Sequence, residues 1–199
     1  MKKLILLLAF ITANSIYPQL GISGGIDYAS FKSGSFKNTK LEDSKYWFNG
    51  WFINFGLLAL DENLDRGDAE MLLHYYNRKA ITKFNGKEYH LTNGEVSLSA
   101  GQHILLSRGL AFSIVGELGV GWIGSDTPFD HSGVYGNASI SIGPFVIISR
   151  ARIFALAKLN VGFIYFSGSD PDLYSLDPLP SSSGLISGPE FKIGASLSL

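Results

Sequence analysis

Apolar residues recur at every second position along most of the chain, the period of a strand whose two faces meet different surroundings. Leu20, Ile22, Ile26 and Tyr28 alternate with Gly21, Ser23, Gly25, Asp27 and Ala29. Trp47, Trp51, Ile53, Phe55 and Leu57 alternate with Gly50, Asn54 and Gly56. Met71, Leu73 and Tyr75 alternate with Glu70, His74, Tyr76 and Arg78, and Val96, Leu98, Ala100, Ile104 and Leu106 with Ser97, Ser99, Gly101 and His103. Leu110, Phe112, Ile114, Leu118, Val120 and Trp122 face away from Ala111, Ser113, Glu117, Gly119 and Gly121. Val134, Ala138, Ile140 and Ile142 do the same against Asn137, Ser139, Ser141 and Gly143. Ile153 to Tyr165 alternate with Lys158, Asn160 and Gly162, and Leu185 to Leu199 with Gly188, Glu190, Lys192, Gly194, Ser196 and Ser198. The pattern predicts about eight strands of roughly ten or more residues, long for a soluble sheet and normal for tilted membrane-spanning strands.

The connections carry a second regularity. Links from odd to even strands are long and polar: "KSGSFKNTKLEDSK", the region around "KFNGKEYHLTNG", "GSDTPFDHSG" and "SGSDPDLYSLDPLPSSSG". Links from even to odd strands include the tight "SRG" at Ser107 to Gly109 and "SRA" at Ser149 to Ala151, with "DENLDRG" the longer third. Long loops on one side and short turns on the other are the signature of an outer-membrane barrel.

The second face is expected to be rich in Gly and Ser, with isolated charges and few large apolar residues. A narrow barrel's interior needs such residues, and a hydrocarbon-facing surface needs Leu, Ile, Val and Phe. The apolar face is therefore expected to point outward. A soluble sandwich with half-buried strands is the competing reading. Tyr28, Trp47, Trp122 and Tyr165 fall near the loop-side strand ends, where an aromatic girdle belongs. Some residues fit less well. Gln102 falls on the outward face, where a bulge is expected to turn it, and Asn49 points outward at the interface. Pro144 is expected to mark a bulge or the end of a membrane segment, and Pro189 to lie at the outer rim.

Composition agrees with this picture. Of 199 residues, 17% are charged, against about 25% in ordinary soluble domains. Apolar residues make 46% and Gly contributes 23. A net charge of -1 gives no basic field for nucleic acid. There is no Cys, so thiolate metal sites, thiol nucleophiles and a lipidated-cysteine anchor are excluded.

The N-terminus, "MKKLILLLAFITANSIYPQ", has Lys2 and Lys3 before an apolar run from Leu4 to Ala13. The run is short for a bilayer span and suits a signal-peptide core. Residues 1–19 are expected to be a signal peptide, cut after Ser15 or Gln19, and residues 20–199 one barrel domain.

On the presumed inner face stand Asp27, Glu70, Arg78, Glu117, Lys158, Glu190 and Lys192, with His74 and His103. Counting from the turn side places Asp27 near Lys192 and Lys158 near Glu190. This is read as a salt-bridge network that fills the lumen; a narrow ion path is the alternative. The loop segment "FDHSG" holds Asp130, His131 and Ser132, but adjacent side chains diverge and rarely make a triad. Asp170, Asp172 and Asp177 lack EF-hand spacing. Lys32, Lys37, Lys40 and Lys45 are either solvated or in reach of anionic lipopolysaccharide. No phosphate loop, zinc spacing or nucleic-acid module is present, and no metal or other cofactor is expected.

On these features the chain resembles the small eight-stranded outer-membrane β-barrels, the OmpA/OmpX-like family in the form common in Bacteroidetes-type exported proteins. The resemblance covers essentially all of residues 20–199. It implies a closed antiparallel up-and-down transmembrane β-barrel in the cell outer membrane, with outer-membrane lipids and the barrel-assembly machinery as partners. Such barrels carry a C-terminal assembly signal, and Lys192, Gly194, Leu197 and Leu199 occupy its positions, with Leu199 where Phe is usual. The expected role is structural or interactive and not enzymatic, with loops presented to an extracellular or envelope protein partner. A narrow pore or small-solute channel is the first alternative, and an enzyme modifying envelope lipid (lipid A) the second.

Overall fold

The computed structural model describes residues 19–33, 45–58, 69–84, 87–107, 109–125, 132–148, 150–166 and 182–198. The segment expected as a signal peptide lies outside the described residues except for Gln19, as do Asp130, His131, the aspartates at 170, 172 and 177, Lys37, Lys40 and Leu199.

The strands are β1 (Gln19–Ser33), β2 (Lys45–Leu58), β3 (Ala69–Phe84), β4 (Lys87–Ser107), β5 (Leu110–Ser125), β6 (Gly133–Ile148), β7 (Ala151–Phe166) and β8 (Ser182–Ser198). Each pairs antiparallel with the next, and β1 pairs with β8, closing the barrel. Closure pairs every strand on both sides and leaves no edge exposed.

The period-2 pattern sorts the side chains onto two walls. Outward residues are apolar and open: Leu118 is 68% exposed, Ile26 65% and Leu185 70%. Inward neighbours are buried, and many are charged, as with Arg78 and Glu190. This is the reverse of a soluble barrel. The turn from β4 to β5 is tight. Gly109 adopts a φ of 77°, a conformation that favours glycine, and its carbonyl accepts a hydrogen bond from the Ile147 N–H at 2.8 Å.

Several local expectations are corrected. The region around "KFNGKEYHLTNG" is not a loop: β3 and β4 stay paired up to Phe84 with Lys87. Gln102 faces outward in regular register, opposite Ala69 and Ile114. The irregularity in β4 lies instead between Leu105 and Ser107, beside the turn. Pro144 marks neither a bulge nor a strand end. β6 runs on to Ile148, and its pairing with β7 skips Gly143 and Pro144 and resumes in the same register. Pro189 lies within β8 and not at its rim; the ladder to β1 is interrupted at Gly188 and Pro189 and then continues. The missing proline N–H accounts for each gap. At Gly188 the Ser30 carbonyl of β1 approaches so closely that no Cβ would fit.

Candidate functional site: the filled lumen

Every strand contributes to an apolar ring inside the loop-side half of the barrel. Phe31 and Ala29 come from β1, Tyr46 and Phe48 from β2, and Ala80 from β3. Leu91, Ile123, Tyr135, Ile164 and Ile186 come from β4, β5, β6, β7 and β8 in turn. Phe31 packs edge-on against Phe48, with ring centroids 5.5 Å apart. The expectation of few large apolar residues inside is thus corrected. β2 is aromatic on both faces, Phe48 and Phe52 inward against Trp47 and Trp51 outward, so its alternation by residue type is masked.

Below the ring lies a charged layer. Arg78 of β3 is fully buried and pairs through Nε with Asp27 of β1. Its Nη1 donates to Glu95 of β4 and to Asn93, each at 2.9 Å, and its Nη2 lies 3.2 Å from Glu190 of β8. Lys158 of β7 lies 3.4 Å from Glu190 and donates to Glu117 of β5 at 2.8 Å. Lys192 of β8 lies 3.2 Å from the other oxygen of Glu117. Tyr76 stands at the centre. Its hydroxyl accepts from Lys192 at 2.6 Å and donates to Glu117 at 2.9 Å, while the Arg78 guanidinium lies 4.2 Å from its ring centroid. His74 reaches Ser99 at 2.6 Å and the Tyr76 hydroxyl at 3.3 Å. Glu95 also accepts from Tyr135 at 2.9 Å and from Asn137 at 3.1 Å.

Toward the turn side, Phe52, Phe145, Phe154 and Ala111 form a second apolar group with Tyr76. There Glu70 pairs with Arg152 at 2.8 Å and lies 3.2 Å from His103. Arg152 sits over the rings of Phe145 and Phe154, with its Cζ 5.1 and 5.6 Å from their centroids. A cavity of about 20 Å³ separates the two charged groups, lined by Asn54, Glu70, His74, Arg152 and Lys192 among others.

The inner-face residues read from the sequence are therefore all buried, but in two groups. Asp27, His74, Arg78, Glu117, Lys158, Glu190 and Lys192 share the central layer, and Glu70 and His103 belong to the lower one. Asp27 does stand opposite Lys192 across the closing seam, yet the cation it pairs with is Arg78, two strands away. Glu95 and Arg152 were not anticipated. Both lie on the inward parity, Glu95 with Ser97 and Arg152 opposite to Ile153. Tyr28, Trp47, Trp122 and Tyr165 point outward near the loop side, each 40–48% exposed, and Tyr28 stacks on Trp47 at 4.9 Å. Of the C-terminal positions, Lys192 is inside, Gly194 half-buried and Leu197 outside.

One constellation has the outline of a catalytic triad: Ser113 Oγ is 2.9 Å from His103 Nδ1, and Glu70 is on the ring's other nitrogen. Its surroundings do not suit acyl transfer. Arg152 lies 3.1 Å from the same His103 nitrogen, Ser113 is 3% exposed, and the adjoining cavity has room for about one water. Among the described residues no group of three or more His, Cys, Asp or Glu converges to hold a metal ion.

The fold and its layered interior define a closed, eight-stranded, inside-out β-barrel. No protein-family model matches the chain, and no curated protein matches its sequence. Solved structures do resemble it. Neisserial surface protein A (NspA) aligns over 90% of this chain and 97% of its own, with a TM-score of 0.57 and 9% identity. The outer membrane protein OprG from Pseudomonas aeruginosa aligns over 92% and 96%, at 0.51 and 11%. The outer membrane protein AlkL, whose structure was determined in lipid bilayers, aligns over 92% of each chain, at 0.52 and 10%. Similarity at these identities is a similarity of fold.

Proposed function

We propose that the chain is an outer-membrane barrel of structural or interactive role, a rigid scaffold that presents its long loops and does not conduct. The apolar exterior supports the setting, because hydrocarbon is the solvent such a wall requires. The similarity of fold to NspA, OprG and AlkL accords with it. The observation that carries the non-conducting role is the apolar ring to which all eight strands contribute, lying above a paired charged layer. A water-filled path would have to break both. Barrels of this strand number have interiors just wide enough for side chains to fill.

Insertion of the purified barrel into planar bilayers tests this reading. The expected record shows no discrete conductance steps. Replacing Phe31 and Phe48 together with Ala is expected to thin the ring without creating steps, because the charged layer beneath remains. Regular single-channel steps from the unaltered protein would overturn the scaffold reading in favour of a narrow pore. Unchanged lipid A mass in cells with and without the protein is expected; a changed mass would favour an enzyme.

A further inference from the structure

The lipid-facing wall is not uniformly apolar. On its loop-side half, Tyr28, Asn49, Lys79 and Thr92 follow one another across β1 to β4 in one row of the register. The row beneath runs Ile26, Trp51, Asn77, Gly94 and Trp122. Asn49 and Lys79 are exposed, and Asn77 is half-exposed. None of the three side chains has a hydrogen-bond or ion-pair partner among the described residues. The other half of the barrel differs: from Trp122 the row continues through Val134, Tyr165 and Ser183, which carry no amide side chain and no charge.

At the interface an unpartnered amide or ammonium gains by meeting a polar or anionic group. Asn49, Asn77 and Lys79 are contiguous, since Asn49 stands opposite Lys79 and Asn77 is two residues from Lys79 on the same face. Together they offer amide donors and one positive charge at a single spot. Aromatic rings frame that spot. Tyr28 stacks on Trp47, Trp51 lies 5.6 Å from Tyr75, and the Trp122 ring lies over Gly94 where a Cβ would collide with it. Phe55, Leu73 and Leu98 form an open apolar row below. These two rows carry no carboxylate.

We propose that Asn49, Asn77 and Lys79 form a binding site for the phosphate-bearing headgroup of a membrane lipid, with its acyl chains lying along Phe55, Leu73 and Leu98. The proposal rests on the outer-membrane reading and adds to it a preferred lipid class and a place on the wall. Charge complementarity and position select this occupant: the ammonium and amides lie at the aromatic level, where headgroups meet acyl chains.

The chain's tryptophans, which number 3, are Trp47, Trp51 and Trp122, and all of them border this patch. Their fluorescence therefore reports on it. The barrel is refolded into phosphatidylcholine vesicles containing a small fraction of brominated-chain phosphatidic acid, or the same fraction of brominated-chain phosphatidylcholine. The phosphatidic acid is expected to quench preferentially, with an apparent preference of about fivefold, the effect of one lysine at an anionic site. Lys79→Gln is expected to bring the preference close to one, and Asn77→Leu to lower it. Equal quenching by the two lipids would overturn the site. So would a preference that survives Lys79→Gln, or one lost only when Lys32 and Lys45 are both replaced by Gln. A heat-dependent band shift on SDS gels, run on each sample, shows whether the barrel has formed. Its absence in the unaltered protein would overturn the barrel reading, whereas a shift with equal quenching overturns only the lipid site.

Discussion

The inner and outer walls of this barrel are built by the same strands and are held by different physics. In β8, Glu190 is fully buried while the next residue, Phe191, is 52% exposed. Outside, each side chain answers to its solvent, and neighbours matter little. Inside, each charge answers to specific partners on distant strands. Arg78 alone links β3 to β1, β4 and β8. One wall thus tolerates exchange among apolar residues, and the other is an interdependent set. The difference teaches that the alternating pattern encodes two separate stability problems.

The comparison is broken most severely at Arg78. Arg78→Met leaves Asp27, Glu95 and Glu190 short of a shared cation in a buried layer. Removing one member of a buried ionic set costs about 3–5 kcal/mol, so the urea midpoint of the folded barrel is expected to fall steeply, or folding to fail. The next largest effect is expected on the other wall. Leu118 lies midway along β5 and faces outward. Leu118→Arg is expected to cost about 2–4 kcal/mol in bilayer-refolding titrations, the range for Arg at a bilayer midplane. A smaller effect separates partnership from polarity. Glu70→Gln and Arg152→Met, made singly and together, are expected to show a coupling of about 0.5–3 kcal/mol in a double-mutant cycle, with the paired change milder than the sum. The smallest is Leu118→Ile, expected within about 0.5 kcal/mol by the same titration, because it keeps the apolar area that faces hydrocarbon and breaks no specific contact.

Much of the architecture was legible because the period-2 pattern fixes which residues share a wall. The closed antiparallel barrel follows from eight regularly alternating strands, short turns such as Ser107 to Gly109, and the apolar outward parity. The cross-strand neighbours Lys158 and Glu190 could be counted out along paired strands. Contacts across the lumen could not. Arg78 meets Asp27 because the barrel is narrow and the side chain long, and neither register nor spacing states a diameter. Arg152 was hidden by its place beside the short turn, and Glu95 by following directly on "KFNGKEYHLTNG", the polar segment that reads as a loop. The apolar ring escaped because Phe48 looks, by residue type, like Trp47 on the outer face. The β3–β4 extension was hidden by the polar character of the residues that form it.

The central claim is that the apolar wall faces hydrocarbon around a closed barrel. It is tested most directly by refolding residues 20–199 in detergent and running the product on SDS gels, unheated and heated. A closed barrel with a paired interior resists SDS until heated. The account predicts that the unheated protein migrates as a separate band that heating converts to the unfolded position. A single band at the unfolded position in both lanes, from protein that stays soluble and folded once detergent is removed, would contradict it.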